Sequence, residues 1–322
     1  WWGLPALPKL NTDEPEVREF LFSIAEHWLR FGIDGWRLDV PGEIDDEAFW
    51  QEFRRRCRAV RPDAYLVGEI WRVAPDWLRG DRFDALMNYP LAEAIIGFAA
   101  GDRLDTALVA SHREFSATIR PLDGPAFARQ ITDLAAAYDP DVVAVQLDLL
   151  GSHDTPRLRS LVGGDAHGVR LATLLQVAMP GAPCVYYGDE VGLTGGNDPE
   201  CRAGFPWDET RWEPGLRESV RGLLRLRSAE PALRDAPVRI AGAEGQAVAI
   251  ERGAGPSRLI VAVNAGETAI RLRVGLDTDP GGLGRLAPLA LPGFDGATAG
   301  EIVDGEAWLE LPARTGNIYR VA

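Results

Sequence analysis

The sequence predicts an α/β fold with parallel strands, followed by a smaller all-β part. Short apolar runs alternate with helical patterns through roughly the first 235 residues. Beyond that point the helical patterns give way to short strand-like runs divided by Gly, Pro and Asp. Strands that alternate with helices indicate a parallel sheet covered on both faces.

The first predicted elements form a helix, strand, helix, strand series. Apolar residues recur at helical spacing after Pro15, and Gly32 supplies a stop signal. A strand is predicted in GIDGWRLDV, a helix after the cap candidates Asp45 and Asp46, and a second strand in AYLVGEIW. The series therefore begins with two parallel strands joined by a helix.

The same rhythm continues to about residue 235. Further strands are predicted in RFDALMNYP, AVQLDLLGSHD and PCVYYGDE, and further helices in PAFARQITDLAAAY, GVRLATLLQVAM and ESVRGLLRLRSAEPAL. The five strands lie at about residues 35, 65, 85, 147 and 184.

Strand-like runs of the last part are AVAIE, RLIVAVNA, AIRLRV and AWLEL, whereas DPGGLGRLAPLALPG is predicted to be a loop. The predicted domains are residues 1–235, a partial barrel, and residues 236–322, an antiparallel β domain.

Composition excludes several classes of partner. A net charge of −14 argues against nucleic acid, which needs a basic surface. No apolar run reaches the roughly 18 residues that span a membrane, and the first residues lack the pattern of a signal peptide. Three cysteines without C-x-x-C spacing, and four histidines without an H-E-x-x-H pattern, predict a reducing, cytoplasmic location and no metal site.

Polar residues follow the predicted strands at their carboxyl ends, where ligand sites of parallel sheets lie. Asp39, Glu69, His153 and Asp154 have this placement. Carboxylates from separate strands converge only if the sheet curves into a barrel. Paired carboxylates at such a rim suit cleavage of a glycosidic bond, in which one acts as nucleophile and the other protonates the leaving oxygen.

Several motifs resemble one family. DGWRLDV, VGEIW and LLGSHDTPR resemble three ordered motifs of the α-amylase family of glycoside hydrolases. WWGLPALPKLNTDEPEVREFL, GDRFDALMNYPL and YYGDEVGLTGGNDPECRAGFPWDE resemble the neopullulanase, cyclomaltodextrinase and maltogenic amylase subgroup, so that the similarity covers about residues 1–235.

The resemblance implies an incomplete (β/α)₈ TIM barrel, with strands four to eight, followed by the all-β C-terminal domain. The family's first motif, an Asp before an Asn-His pair, is absent, and so is the N-terminal domain of the subgroup. We therefore expect the chain to be the C-terminal part of a longer enzyme.

The family's catalytic roles transfer to four residues. Asp39 matches the nucleophile, and Arg37 matches the residue that keeps this carboxylate ionised and oriented. Glu69 matches the general acid and base, with apolar neighbours expected to raise its pKa by desolvation. Asp154 matches the third carboxylate, which binds substrate hydroxyls as oxocarbenium character develops.

The resemblance implies that four more residues bind the substrate. His153 matches the sugar-binding partner of Asp154, and Trp71 matches an aromatic residue beside the acceptor side of the cleft. Asp198 and Arg202 match a loop that reaches the non-reducing side of the substrate. For each residue taken alone, a structural role is a competing interpretation.

The resemblance predicts a retaining α-glucan hydrolase that cleaves α-1,4 bonds, with α-1,6 bonds as a second class, in maltooligosaccharides, cyclodextrins or pullulan. Two alternatives stay open: a glucan transferase with the same site, and a non-catalytic fragment. The expected partner is an α-glucan oligosaccharide, with a homodimer expected at full length. No cofactor is expected; calcium ligands, where the family has them, often lie in the absent N-terminal part.

Overall fold

The computed structural model describes residues 1–276 and 284–321, and the chain divides into two compact units, Trp1–Met87 and Asn88–Ala322. The first unit contains helices α1 (Pro15–Phe31) and α2 (Glu47–Val60) and strands β1 (Gly35–Leu38), β2 (Tyr65–Gly68) and β3 (Ala85–Leu86). The three strands form one parallel sheet in the order β1-β2-β3. This confirms the first three predicted strands.

Local sequence explains these elements. Helix α1 ends where Gly32 adopts a φ of 119° and donates its N–H to the carbonyls of Trp28 and Leu29. Helix α2 begins after Asp46, whose carboxylate accepts the N–H of Phe49 at 3.1 Å. Strand β1 needs glycine at its first residue, because a Cβ on Gly35 would lie 1.9 Å from a backbone oxygen of β2.

The second unit contains nine described α-helices and ten described strands. The helices are α3 (Tyr89–Ala100), α4 (Thr106–Ser111), α5 (Phe115–Thr118), α6 (Gly124–Ala136), α7 (Pro140–Val143), α8 (Leu158–Leu161), α9 (Ala166–Ala178), α10 (Leu216–Ala229) and α11 (Pro231–Asp235). Strands β4 (Leu147–Leu149) and β5 (Ala182–Cys184) pair in parallel and correspond to the fourth and fifth predicted strands.

The remaining strands form an eight-stranded antiparallel sheet. They are β6 (Val238–Glu244), β7 (Ala247–Arg252), β8 (Leu259–Asn264), β9 (Ile270–Gly275), β10 (Gly284–Pro288), β11 (Gly300–Val303), β12 (Glu306–Leu311) and β13 (Thr315–Val321). Their order is β6-β7-β8-β13-β10-β11-β12-β9, and β9 also packs against β6 and β7. The sheet thus curves around an apolar core that includes Ile260, Leu272 and Leu309.

The predicted loop DPGGLGRLAPLALPG is partly wrong. Its residues 284–288 form β10, which pairs with β11 on one side and β13 on the other. Hydrogen bonding on both sides outweighs the turn-rich composition of this stretch. Residues 279–283 lie outside the described part of the chain. The predicted domain division at residues 235 and 236 stays a prediction.

Helix α9 is held at both ends by arginines from the antiparallel sheet region. Arg314 forms an ion pair with Asp165, the residue that caps the helix start. Arg252 on β7 donates to the carbonyl of Ala178, the last residue of the helix. Arg252 is fully buried, and desolvation lowers its pKa to about 9. The Arg252 bond satisfies a carbonyl at the helix end, which has no partner within the helix, and the Arg314 ion pair adds to the other contacts of the capping carboxylate.

Glu93 on α3 gives a testable pH dependence of stability. The side chain is buried, and desolvation raises its pKa from 4.5 to about 7. The unfolded chain releases this proton near pH 4.5, whereas the folded protein retains it to about pH 7. The Glu93 contribution to stability is therefore fully present below pH 4.5 and is lost as pH rises through 7.

We expect Glu93→Gln to reduce the fall in unfolding free energy between pH 5 and 8 by on the order of 1–3 kcal/mol. Urea unfolding of both proteins at several pH values measures this difference. Equal pH slopes for the two proteins would contradict the assignment.

No helix among the described residues is long and apolar enough to cross a membrane. Within residues 1–276 and 284–321, no group of three or more His, Cys, Asp or Glu residues is placed to hold a metal ion.

Candidate active site

Two carboxylates meet one arginine at the carboxyl ends of β1 and β2. Strand pairing places Leu38 opposite Gly68, so that Asp39 and Glu69 follow neighbouring strands at the same edge. Arg37 donates from Nη1 to Asp39 Oδ1 at 2.5 Å, and its Nη2 lies 2.9 Å from Glu69 Oε2. The guanidinium therefore bridges the two acids.

The two acids differ in exposure. The Asp39 side chain is 72% exposed, whereas that of Glu69 is 4% exposed. Glu69 Oε2 also accepts the N–H of Val40 at 3.1 Å, and Oε1 accepts the indole N–H of Trp71 at 3.3 Å. Asp39 is thus open to a ligand, whereas Glu69 is held by Arg37, the Val40 N–H and the Trp71 indole.

The Arg37 side chain also forms a hydrogen bond within its own unit, Trp1–Met87. Its Nε donates to Met87 Sδ at 3.4 Å, next to the end of β3. Two of the side-chain nitrogens thus form hydrogen bonds and the third lies in an ion pair, each with a different partner, which restricts rotation of the guanidinium plane. The role that the sequence predicts for Arg37, orienting Asp39, remains a prediction, and the structure provides the contact that this role requires.

A second group of predicted residues comes together in the other unit, after β4. His153 Nε2 lies 3.0 Å from Asp154 Oδ2, and Arg202 Nη2 donates to Asp154 Oδ1 at 3.2 Å. Arg202 Nε lies 2.9 Å from Asp198 Oδ1 and donates to the His153 carbonyl at 3.0 Å. All four residues predicted in this part of the chain are therefore joined in one connected group.

Three further residues support this group, and none of them is among the site residues predicted from the sequence. Ser152 Oγ accepts hydrogen bonds from the Asp154 N–H at 3.1 Å and from the Tyr89 hydroxyl at 3.1 Å. His112 Nε2 lies 2.9 Å from the Asp154 carbonyl. Ser152 belongs to the GSHD motif and could have been found there, but nothing in the sequence near His112 points to a residue 42 positions away.

The arrangement can support acid, base and nucleophile chemistry. An exposed carboxylate and a neighbouring buried carboxyl share one cation, which suits a nucleophile paired with a proton donor. The His153, Asp154 and Arg202 group presents alternating donors and acceptors, which suits recognition of sugar hydroxyls.

A family model, curated relatives and a solved structure all match this chain and agree on one protein family. The family model described as "Alpha amylase, catalytic domain" matches residues 2–226. A cyclomaltodextrinase of Geobacillus thermopakistaniensis is 40% identical over 277 residues, which are 85% of this chain and 44% of that protein. Neopullulanase 2 of Thermoactinomyces vulgaris is 41% identical over 244 residues, covering 76% of this chain and 38% of the relative.

The solved structure of the native debranching enzyme from Nostoc punctiforme superposes with a TM-score of 0.87 at 43% identity, over 99% of this chain and 65% of that one. The predicted fold class, strands of a TIM barrel with an antiparallel β part after them, is confirmed by these matches. The chain spans less than half the length of the two relatives named above.

Proposed function

Because the chain belongs to the α-amylase family of glycoside hydrolases, we propose that it carries the catalytic groups of a retaining α-glucan hydrolase. The observation that supports this most is the bridging of Asp39 and Glu69 by Arg37. Two carboxyl groups on one guanidinium are close together, and retaining glycosidases need a spacing of roughly 5 Å. Inverting enzymes separate these groups further to admit a water molecule.

In the proposed first step, Asp39 attacks the anomeric carbon of the bound glucan. The bond from this carbon to the glycosidic oxygen breaks, and Glu69 transfers its proton to that oxygen. The product is a glycosyl ester of Asp39 and a released sugar. In the second step Glu69 takes a proton from water, which attacks the same carbon and frees Asp39. Two displacements leave the product in the α configuration.

The remaining residues have proposed binding roles. Asp154 and His153 bind sugar hydroxyls, and Arg202 with Asp198 binds rings toward the non-reducing end. Trp71, whose indole N–H bonds Glu69, has an aromatic face for the acceptor sugar. The contacts among these side chains support the proposal because each charged group already has a partner that fixes its direction.

The proposed substrates follow from the names of the relatives. Proteins similar to this chain are a cyclomaltodextrinase, a neopullulanase and a debranching enzyme. We therefore propose maltooligosaccharides, cyclodextrins and pullulan as substrates, with α-1,4 bonds cleaved and α-1,6 bonds as a second class. The homodimer and the cytoplasmic location also remain proposals; the free thiols of Cys57, Cys184 and Cys201 are in keeping with a reducing compartment.

The stereochemistry of the first product tests the mechanism. The assay uses the 322-residue chain and an extended chain, in which these residues are joined to the segment that precedes the corresponding region in the Geobacillus relative. We expect the extended chain to hydrolyse maltotriose and β-cyclodextrin, and proton NMR to detect the α-anomer before mutarotation. Initial release of the β-anomer would exclude the double displacement.

The two proteins also separate the remaining alternatives. Activity in the extended chain alone would mean that the 322 residues need the preceding segment. An extended chain that folds but binds glucan without cleaving it would favour the non-catalytic hypothesis. The ratio of transfer to hydrolysis products distinguishes a transferase from a hydrolase.

A further inference from the structure

Arg157 is fully buried beside the Asp154 group, and its hydrogen bonding is incomplete. Its Nη1 donates to the carbonyl of Tyr187 and lies 3.4 Å from Asp189 Oδ1. Its Nε and Nη2 have no hydrogen-bond partner among the residues that the structure describes. Burying a charged guanidinium costs free energy unless its surroundings replace the lost contacts with water. The other contacts of Arg157 are therefore important for its stability.

Those contacts are mainly with two aromatic rings. The guanidinium carbon lies 4.1 Å from the ring centre of Tyr186 and 4.5 Å from that of Tyr187. The two rings are 4.7 Å apart and inclined at 65°, and the guanidinium fills the corner between them. A cation over aromatic faces is attracted by their negative quadrupoles, more strongly when water is excluded. Arg157 consequently fixes the direction of both tyrosine side chains.

Both tyrosine hydroxyls reach one short segment. Tyr186 donates to the carbonyl of Cys201 at 3.3 Å, and Tyr187 donates to that of Ala203 at 2.8 Å. Burial raises the pKa of Tyr186 to about 12, so its hydroxyl remains a donor at ordinary pH. The two bonds hold the backbone on either side of Arg202.

The backbone of Arg157 holds the start of the same loop. Its N–H donates to the carbonyl of Gly195 at 3.1 Å. Residues 195–203, here called the Arg202 loop, are thus attached to Arg157 at one end directly and near the other end through the tyrosines. The side chain that this loop carries is the one that bonds Asp154.

We propose that Arg157 is a positioning residue that holds the Arg202 loop so that Arg202 orients Asp154. The inference rests on the proposed function, in which Asp154 contacts the substrate. Among the described residues, Arg157 forms no hydrogen bond or ion pair with Asp154 or Arg202. Its effect passes through Tyr186 and Tyr187 to the loop backbone.

Hydrogen exchange in the 322-residue chain tests the physical part of the proposal. Arg157→Met removes the charge and keeps much of the volume, whereas Tyr187→Phe removes the hydroxyl that bonds Ala203 and keeps the aromatic ring. The matched control is Arg159→Met, because Arg159 bonds Glu213 and the Gly192 carbonyl and not the Arg202 loop. Amides of residues 198–203 are followed by mass spectrometry.

We expect exchange of these amides to become roughly tenfold faster in Arg157→Met and clearly faster in Tyr187→Phe, and to be unchanged in Arg159→Met. Arg157→Lys, which keeps a donor for the Tyr187 carbonyl, should recover part of the protection. Unchanged exchange in Tyr187→Phe, or an equal increase in the Arg159 control, would overturn the proposal. If Arg157→Met does not fold, Tyr187→Phe and its comparison with Arg159→Met still decide the question.

Kinetics in the extended chain tests the functional part. A misplaced Asp154 should lower kcat/KM for maltotriose by about tenfold to a hundredfold in Arg157→Met, with partial recovery in Arg157→Lys. Faster loop exchange with unchanged kcat/KM would overturn the link to Asp154. If the wild-type extended chain cleaves no glucan, the proposed function fails, whereas the exchange result still shows whether Arg157 holds the loop.

Discussion

Replacing Asp39 with Asn is expected to lower kcat for maltotriose in the extended chain by roughly 10⁴-fold or more. The amide cannot form the glycosyl ester, so the first displacement fails. Folding should be largely preserved, because the Asp39 side chain is 72% exposed and exposed ion pairs contribute only about 0–1 kcal/mol. Initial rates and the midpoint of thermal unfolding are both measured.

Strand β1 offers a matched control for this variant. Asp34 immediately precedes the strand that Asp39 immediately follows, and its Oδ1 lies 2.7 Å from Arg61 Nη2. Asp34→Asn therefore makes the same chemical change in an arginine-paired, exposed aspartate at the opposite end of the strand. We expect near-normal kcat for Asp34→Asn. Hydrolysis by Asp39→Asn at a rate similar to this control would remove Asp39 from the mechanism.

Replacing Glu69 with Gln is expected to lower kcat for maltotriose by about 10²- to 10⁴-fold. The leaving oxygen of maltotriose needs a proton, which the amide cannot supply. α-Maltosyl fluoride releases fluoride without that proton. The loss of rate that Glu69→Gln causes in the first step should therefore be at least about tenfold smaller for the fluoride than for maltotriose. Because the second step still lacks its base, the glycosyl ester should accumulate on the peptide that contains Asp39.

Glu93→Gln is the control for this second variant, because Glu93 is also a buried glutamate but lies on α3, among the apolar residues of that helix. We expect its kcat to remain near the wild-type value. An equal fold reduction in the rates of maltotriose and α-maltosyl fluoride cleavage by Glu69→Gln would contradict a role in proton transfer. Mass spectrometry that finds the trapped sugar on a peptide without Asp39 would reassign the nucleophile.

The sequence was sufficient to predict the five parallel strands and the residues at their ends. Four of the five parallel strands lie within their predicted stretches, and β5 begins one residue before its own, because an apolar run that ends in a charged residue marks the point where a buried strand leaves the core. The order of these runs is therefore enough to predict Asp39 and Glu69 at one edge of the sheet. The bridging position of Arg37 is not predictable in this way, since it depends on the register between β1 and β2.

Other features leave no periodic signal in the sequence. Helix α3 is not predicted because all twelve of its residues are buried, so that no polar face reveals a helical period. Strand β10 is not predicted because its own stretch is rich in Gly and Pro, and because its pairing depends on β11 and β13, which lie further along the chain. His112 and Arg157 act through contacts across 42 and 30 positions, which short motifs cannot encode.

The arginines that hold helix α9 have a consequence for protein engineering. A chimera that exchanges only the C-terminal sheet between relatives treats that sheet as a self-contained unit. Here Arg252 and Arg314 leave the sheet region to bond Ala178 and Asp165 at opposite ends of α9. A transplanted sheet without both arginines would remove the Arg252 bond to the Ala178 carbonyl and the Arg314 ion pair of Asp165, whose carboxylate would keep only Arg103 and the N–H groups of the helix start. Successful recombination therefore requires the sheet and α9 to be inherited together.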